Sequence, residues 1–257
     1  MAQQQALAGA QQSPGDVARA KGDTTEIELS RAEQAVARRT AESKATIPHL
    51  VLEAEIDMHE CAALHERLAA GSPAVGAAIP SYEDMIVKAC ALALREHPRA
   101  NSSYRDGRLQ LHGRVNVGAA LWVGAGSPSS AEPVTPTLFD ADLKSLEQIA
   151  RETRALAERA RADALAPPEL SGATFTVASL GAFPVKGFTA IINPPQVAIL
   201  AVGAVESRPI AHDGTVLARH AMTATLACDG RALNGAEAAE LLARIKQLLQ
   251  EPAAIAL

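Results

Sequence analysis

Residues Asp229-Gly230-Arg231-Ala232-Leu233-Asn234-Gly235 bring a carboxylate, a guanidinium and a carboxamide together where an apolar run ends and a helical pattern begins. Proton transfer in such a loop needs a general base, most often an imidazole, with a carboxylate beside it to orient it and stabilise its protonated form. Gly230 has no side chain to accept a proton, and Asn234 keeps hydrogen bonds without stabilising an imidazolium. His49, a lone histidine behind Ile47-Pro48, reads as structural before it reads as a substitute base, because geometry comes before pKa. Cys228 lies in an apolar run with no cationic neighbour in sequence, which describes a buried inert thiol and not a nucleophile.

Further segments follow in order. Ser30-Arg31 through Ser43-Lys44 and Ile47-Pro48-His49 come first, then Val115-Asn116-Val117-Gly118, then Thr135-Pro136 with Asp140-Ala141-Asp142 and Lys144-Ser145-Leu146. Thr174-Phe175-Thr176-Val177 comes next, and Phe188-Thr189-Ala190-Ile191-Ile192-Asn193-Pro194-Pro195-Gln196 leads into Ala198-Ile199-Leu200. From about Glu26 to Leu257 this order resembles the catalytic domain of the dihydrolipoamide acyltransferases of 2-oxo acid dehydrogenase complexes, whose fold is shared with chloramphenicol acetyltransferase. The resemblance implies an α/β chain with a two-layer chloramphenicol acetyltransferase-like fold, a mixed sheet with flanking helices.

Carried onto this chain, the resemblance puts the family's base at Gly230, its second acid at Asn234, and its oxyanion donor, a serine or threonine, at Ala178. Ser179 is no ready replacement for that hydroxyl, since adjacent strand residues face opposite sides of a sheet. It stands with His49, Ser127 and Ser129 as a candidate for substrate contact, while Asp229 and Arg231 are implied to hold the loop through ion pairs and hydrogen bonds. A general base contributes roughly 10²–10⁴ in rate and one oxyanion donor about 10²–10³, so thiol acyl transfer by the family mechanism is expected near background. The stretch Gly124 to Val134 is longer than the family's turn and reads as a surface loop or a reshaped substrate entrance.

These departures lead to the expectation of a stand-alone enzyme: acyl-CoA-dependent O-acyl, chiefly acetyl, transfer to a small-molecule acceptor without the family histidine. Acyl-CoA is then a co-substrate and no cofactor is bound. The alternative is a catalytically silent scaffold or regulator of an authentic dehydrogenase-complex core. The packing segment from Phe188 to Leu200 is retained, so the resemblance implies a homotrimer whose active sites are shared between neighbours.

Composition bounds the same reading. With 257 residues, 48% hydrophobic and 21% charged, the chain can bury one large core, and it has neither repeats nor an apolar run long enough for a membrane span. A net charge of -5 with interspersed signs excludes the electrostatic footprint of a nucleic-acid binder. Cys61, Cys90 and Cys228 sit inside apolar patterns, as reduced thiols of a cytoplasmic protein do, and no metal-ligand spacing is present. Residues 1–24, rich in Gln, Ala and Gly, read as a disordered lead-in to an acyltransferase-like domain over 25–257, with no lipoyl or peripheral-subunit-binding domain.

The elements that must position these groups are legible as patterns. Ser30 with Glu33 opens a helix to about Lys44, His49 to Ile56 alternates as a strand, Asp57 with Glu60 opens a second helix, and Ser81 a third ending before Pro98. Val115 to Val123 and Ala173 to Ser179 read as strands, and Asp142 is expected to cap a helix reaching about Ala162. Val197 to Val205 and Val216 to Ala227 are expected to flank a hairpin turn at Asp213-Gly214, before a closing helix over Ala236 to Gln250.

Overall fold

Helix starts fall where short polar side chains satisfy the orphan amides of a first turn. In the computed structural model, which describes residues 22, 24–71, 78–123, 132–212 and 214–256, Ser81 caps α3 (Tyr82–Glu96) and Ser145 caps α4 (Leu146–Arg161), each in a reciprocal box with Asp84 or Gln148. The chain divides into residues 1–36 and 37–257. In the first unit the Ser30 amide donates to Glu33 and the Glu33 amide to the Ser30 hydroxyl, opening α1 (Arg31–Thr46). The expected lead-in falls almost wholly outside the described residues, and Ser127 and Ser129 lie outside them too.

The second unit is built on a mixed sheet. Its strands are β1 (His49–Asp57), β4 (Val117–Val123), β5 (Glu132–Val134), β7 (Phe175–Ser179), β8 (Ala198–Val202) and β10 (Thr215–Asp229), in the spatial order β1-β10-β8-β7-β4-β5. The pairs β4–β7 and β7–β8 run parallel, while β1 and β8 lie antiparallel to β10. Short β6 (Thr137–Leu138) pairs with β4, β9 (Glu206–His212) with β10, and β2 (Ser102–Arg105) with β3 (Arg108–Leu111) in a separate hairpin. The helices α2 (His59–Gly71), α3, α4 and α6 (Gly235–Gln250), with the short α5 (Pro167–Ser171) between α4 and β7, complete the fold.

Strand alternation assigns each face its partners. Along β10, Met222, Ala224, Leu226 and Cys228 join Phe175, Leu200, Met85, Leu94, Ile149, Leu241 and Ile245 in the main core between sheet and helices. Ala227 belongs instead to a second cluster with Ile47, Ile192 and Ile199, against which the half-buried Ala178 and Ala190 pack. Each fully buried Leu, Ile, Met or Phe contributes about 1.5–3 kcal/mol to folding, so the helix-side core dominates stability and the second cluster locates the 190–199 segment.

Two sequence-based expectations are corrected. The cap of α4 is Ser145 and not Asp142, because the Lys88 ammonium, buried in α3, donates to the Asp142 and Lys144 carbonyls and holds 142–144 in a turn. The hairpin partner of β10 is β9 and not the run from Val197 to Val205: the outer half of the long β10 pairs with β9 and its inner half with β8. The β2–β3 hairpin is absent from the expected elements, and its turn is Asp106-Gly107, a hairpin dipeptide whose residues both adopt the positive φ values, 49° and 77°, that such turns demand.

Candidate functional site

The chain turns at the end of β10 because the Asp229 carbonyl accepts from the amides of Ala232 and Leu233, at 2.9 and 3.0 Å. Gly230 sits exposed on that turn, its amide donating to the Pro48 carbonyl at 2.9 Å. Its backbone is outside the left-handed region, and a Cβ built there would lie 3.2 Å from the same Pro48 oxygen. The turn therefore does not require glycine, and the absence of a side chain here is a chemical fact more than a steric one.

Asp229 is 1% exposed and carries the structural burden of the loop. Its carboxylate accepts from the Arg231 amide at 2.9 Å and is gripped in fork fashion by the Arg231 guanidinium, at 2.9 Å from Nε and 2.7 Å from Nη2. That guanidinium stacks on the Tyr104 ring, 4.2 Å from its centroid. Arg99 adds a second brace, donating to the Ala232 carbonyl at 2.7 Å and pairing with Glu237 at 2.9 Å.

Asn234 is the N-cap of α6. Its Oδ1 accepts from the Ala236 and Glu237 amides at 2.9 and 3.0 Å, and its own amide donates to Glu237 at 2.9 Å. This acceptor is committed to the helix. Asn234 followed by Glu237 three residues on is a capping signal legible in the sequence.

His49 stands directly across from Asp229 in the β1–β10 register. Both ring nitrogens are engaged: Nδ1 lies 2.9 Å from the Ile47 carbonyl, and Nε2 accepts the Ile192 amide at 3.2 Å. No ring lone pair is left for a substrate proton. Cys228 is fully buried, and burial, with Asp229 adding to it, pushes its thiol up to about 12, far from a thiolate at neutral pH.

Ala178 and Ser179 part to opposite faces. Ala178 packs against the cluster of Ile47, Ile192, Ile199 and Ala227. Ser179 accepts the Gly181 amide at 3.1 Å and lines a groove of about 300 Å³ with Tyr82, Ile86, Val202 and Val205 on the helix side. Nor do Ala178 and Gly230 converge within a chain. Ala178 pairs with Ala201 and Ala201 with Thr225, which places Gly230 two strands over and five residues further along. At about 3.4 Å per residue and 4.8 Å per strand, the two positions are roughly 20 Å apart. Chemistry using both on one carbonyl needs a second copy of the chain. Among the described residues no group of His, Cys, Asp or Glu converges to hold a metal, and no helix is long and apolar enough to cross a membrane.

Comparison with known proteins sharpens this frame. The family described as 2-oxoacid dehydrogenases acyltransferase (catalytic domain) matches residues 21–257. The dihydrolipoyllysine-residue acetyltransferase component of the pyruvate dehydrogenase complex of Rhizobium meliloti (strain 1021) is 38% identical over 221 residues, 84% of this chain and 48% of that protein. The chain thus spans about half the length of such curated relatives. Azotobacter vinelandii dihydrolipoamide acetyltransferase superposes with a TM-score of 0.85 at 31% identity, covering 93% of this chain and 96% of that one. The cubic core of a pyruvate dehydrogenase multienzyme complex gives the same values. Chloramphenicol acetyltransferase, at 13% identity and a TM-score of 0.55 over 88% of this chain and 99% of its own, shares the fold alone. In the Azotobacter vinelandii enzyme a serine, a histidine and an asparagine have been studied for roles in the catalytic mechanism. They are spaced fifty-two and four residues apart, as are Ala178, Gly230 and Asn234, so Asn234 shares its residue type as well as its spacing.

Two expectations fall with this. A stand-alone O-acyltransferase for a small-molecule acceptor is overturned by relatives that are components of pyruvate dehydrogenase complexes. Ala178 and Gly230 differ from the serine and histidine that share their spacing in the Azotobacter vinelandii enzyme, but the likeness runs through the whole core, and two differing side chains do not by themselves make a new acceptor site. The expectation of no cofactor is likewise corrected, since those relatives are named for a dihydrolipoyl-lysine residue as the group they acetylate. Mixed sheet, flanking helices and matching core together make this chain a member of the 2-oxoacid dehydrogenase acyltransferase family, in the catalytic domain of that family.

Proposed function

We propose that this chain is the core domain of a dihydrolipoyllysine-residue acetyltransferase of the pyruvate dehydrogenase type, self-associating as a trimer and moving acetyl groups between a dihydrolipoyl-lysine thiol and coenzyme A. The observation that carries this reading is the likeness of the whole core to the Azotobacter vinelandii acetyltransferase, at a TM-score of 0.85. The roughly 20 Å between Ala178 and Gly230 within one chain supports a site assembled from neighbouring copies.

In this reading the lipoyl arm arrives as a substrate, and the chain supplies a channel wall and a rigid turn. Asp229, Arg231, Tyr104 and Arg99 hold the turn, and Asn234 anchors the following helix. Without an imidazole at 230 or a hydroxyl at 178, the attacking thiol must lose its proton to solvent and the oxyanion gains no side-chain donor there. Transfer is therefore orders of magnitude slower than in a relative that has both groups. Light scattering at micromolar concentration tests the assembly: a trimer or a multiple of three is expected, and a monomer would overturn the shared site.

A further inference from the structure

His49 engages two backbone segments at once. Nδ1 faces the Ile47 carbonyl at 2.9 Å and must donate, whereas Nε2 faces the Ile192 amide at 3.2 Å and must accept. Only the neutral ring protonated at Nδ1 satisfies both, because an Nε2 proton would confront the Ile192 N–H. The Ser43 hydroxyl donates to the Ile192 carbonyl at 2.6 Å, so side chains from 43 and 49 hold both polar backbone groups of a residue 1% exposed. The Ile192 side chain lies in the cluster against which Ala178 packs. One residue before His49, the Pro48 carbonyl receives the Gly230 amide.

We propose that His49 is a positioning residue locked in its Nδ1-protonated neutral tautomer, tying the 190–193 segment, whose Ile192 belongs to the cluster against which Ala178 packs, to the β1 end that holds the Gly230 turn. The latch stands on geometry whatever the reaction; its bearing on acetyl transfer rests on the function proposed above. An Ile192 amide without its acceptor would be a buried unsatisfied donor, which corresponds to an opening of the segment at least about fivefold more frequent.

Solid-state NMR on 15N-histidine-labelled protein, with the His49→Gln spectrum subtracted to identify the ring, is expected to show a protonated Nδ1 and a bare Nε2. A proton on Nε2 at neutral pH overturns the proposal without any variant being interpreted. Hydrogen exchange of the peptide spanning 188–196 supplies the second readout. A glutamine carboxamide reaches the place of Nε2 and an asparagine only that of Nδ1. His49→Gln should therefore keep wild-type protection, while His49→Asn should exchange at least about fivefold faster. Equal protection in the two variants refutes the latch, and the pair decides the matter even if His49→Ala does not fold. Because neither readout uses activity, a failed transfer assay leaves the latch standing, and a failed latch leaves the proposed function standing.

Discussion

Placing an imidazole at position 230 tests whether the turn after β10 can serve as a catalytic frame. The site tolerates it: the backbone of Gly230 suits an L-residue, and the new Cβ would sit 3.2 Å from the Pro48 oxygen, a few tenths of an ångström inside ordinary contact. Replacing glycine stabilises by about 0.4–1 kcal/mol through the unfolded chain, which roughly offsets the strain, so Gly230→His should shift Tm by only a few degrees. The imidazole gains little orientation in its own chain, since Arg231 occupies the Asp229 carboxylate and the α6 amides occupy the Asn234 oxygen. The single variant should therefore reach only the lower end of a general base's contribution, about 10²-fold over wild type. Adding Ala178→Ser from the facing copy should raise transfer from acetyl-coenzyme A to dihydrolipoamide by a further factor of about 10², while Ala178→Ser alone gains almost nothing, because base and oxyanion donor act as a unit. Thioester formation measured at saturating dihydrolipoamide, with oligomeric state checked in parallel, reads this directly. A folded, correctly assembled double variant at the wild-type rate would mean that positions 178 and 230 of neighbouring copies do not face one channel.

Other outcomes follow from the same contacts. Asn234→Ala should cost about 1 kcal/mol in urea unfolding, and Asn234→Asp almost nothing, because both parent side chains cap equally well. Cys61 and Cys228, their thiols pushed up to about 12 by burial, and Cys90, driven up by complete burial, should be silent toward a thiol reagent in the native state and all react after denaturation; rapid native labelling of any would contradict the packing. Burial lowers the pKa of His112, whose Nε2 lies 2.9 Å from the Ser103 hydroxyl. The stability it contributes is present above the unfolded value of about 6.5 and is lost as pH falls through the folded one, so His112→Gln should lose less stability than wild type between pH 7 and 5. Gly203→Ala should fail to fold or lose several kcal/mol, since its Cβ would lie 2.2 Å from the Lys186 carbonyl, a backbone atom that cannot yield; a Tm near wild type would refute that fit.

Local patterns carried much of this protein. The boxes at Ser30 and Ser81, the alternation of β1 and β7 and the closing helix lie where caps and periodicity put them, because each depends on atoms within a few residues. Chemistry missing from a position is also a property of sequence: Gly230 has no base in any fold. What depends on distant partners was decided only in three dimensions. Ser145 displaced Asp142 as a cap because Lys88, some fifty residues earlier, claims the carbonyls of the turn. Val197 to Val205 lost the hairpin to β9 because a strand as long as β10 can serve two partners along its length. His49 changed from a lone histidine to a doubly engaged one because Ile192 folds back over it from 143 residues away, a separation that no local pattern encodes. The same holds for Ala178 and Gly230, whose separation is fixed by strand order in the sheet and not by their spacing along the chain.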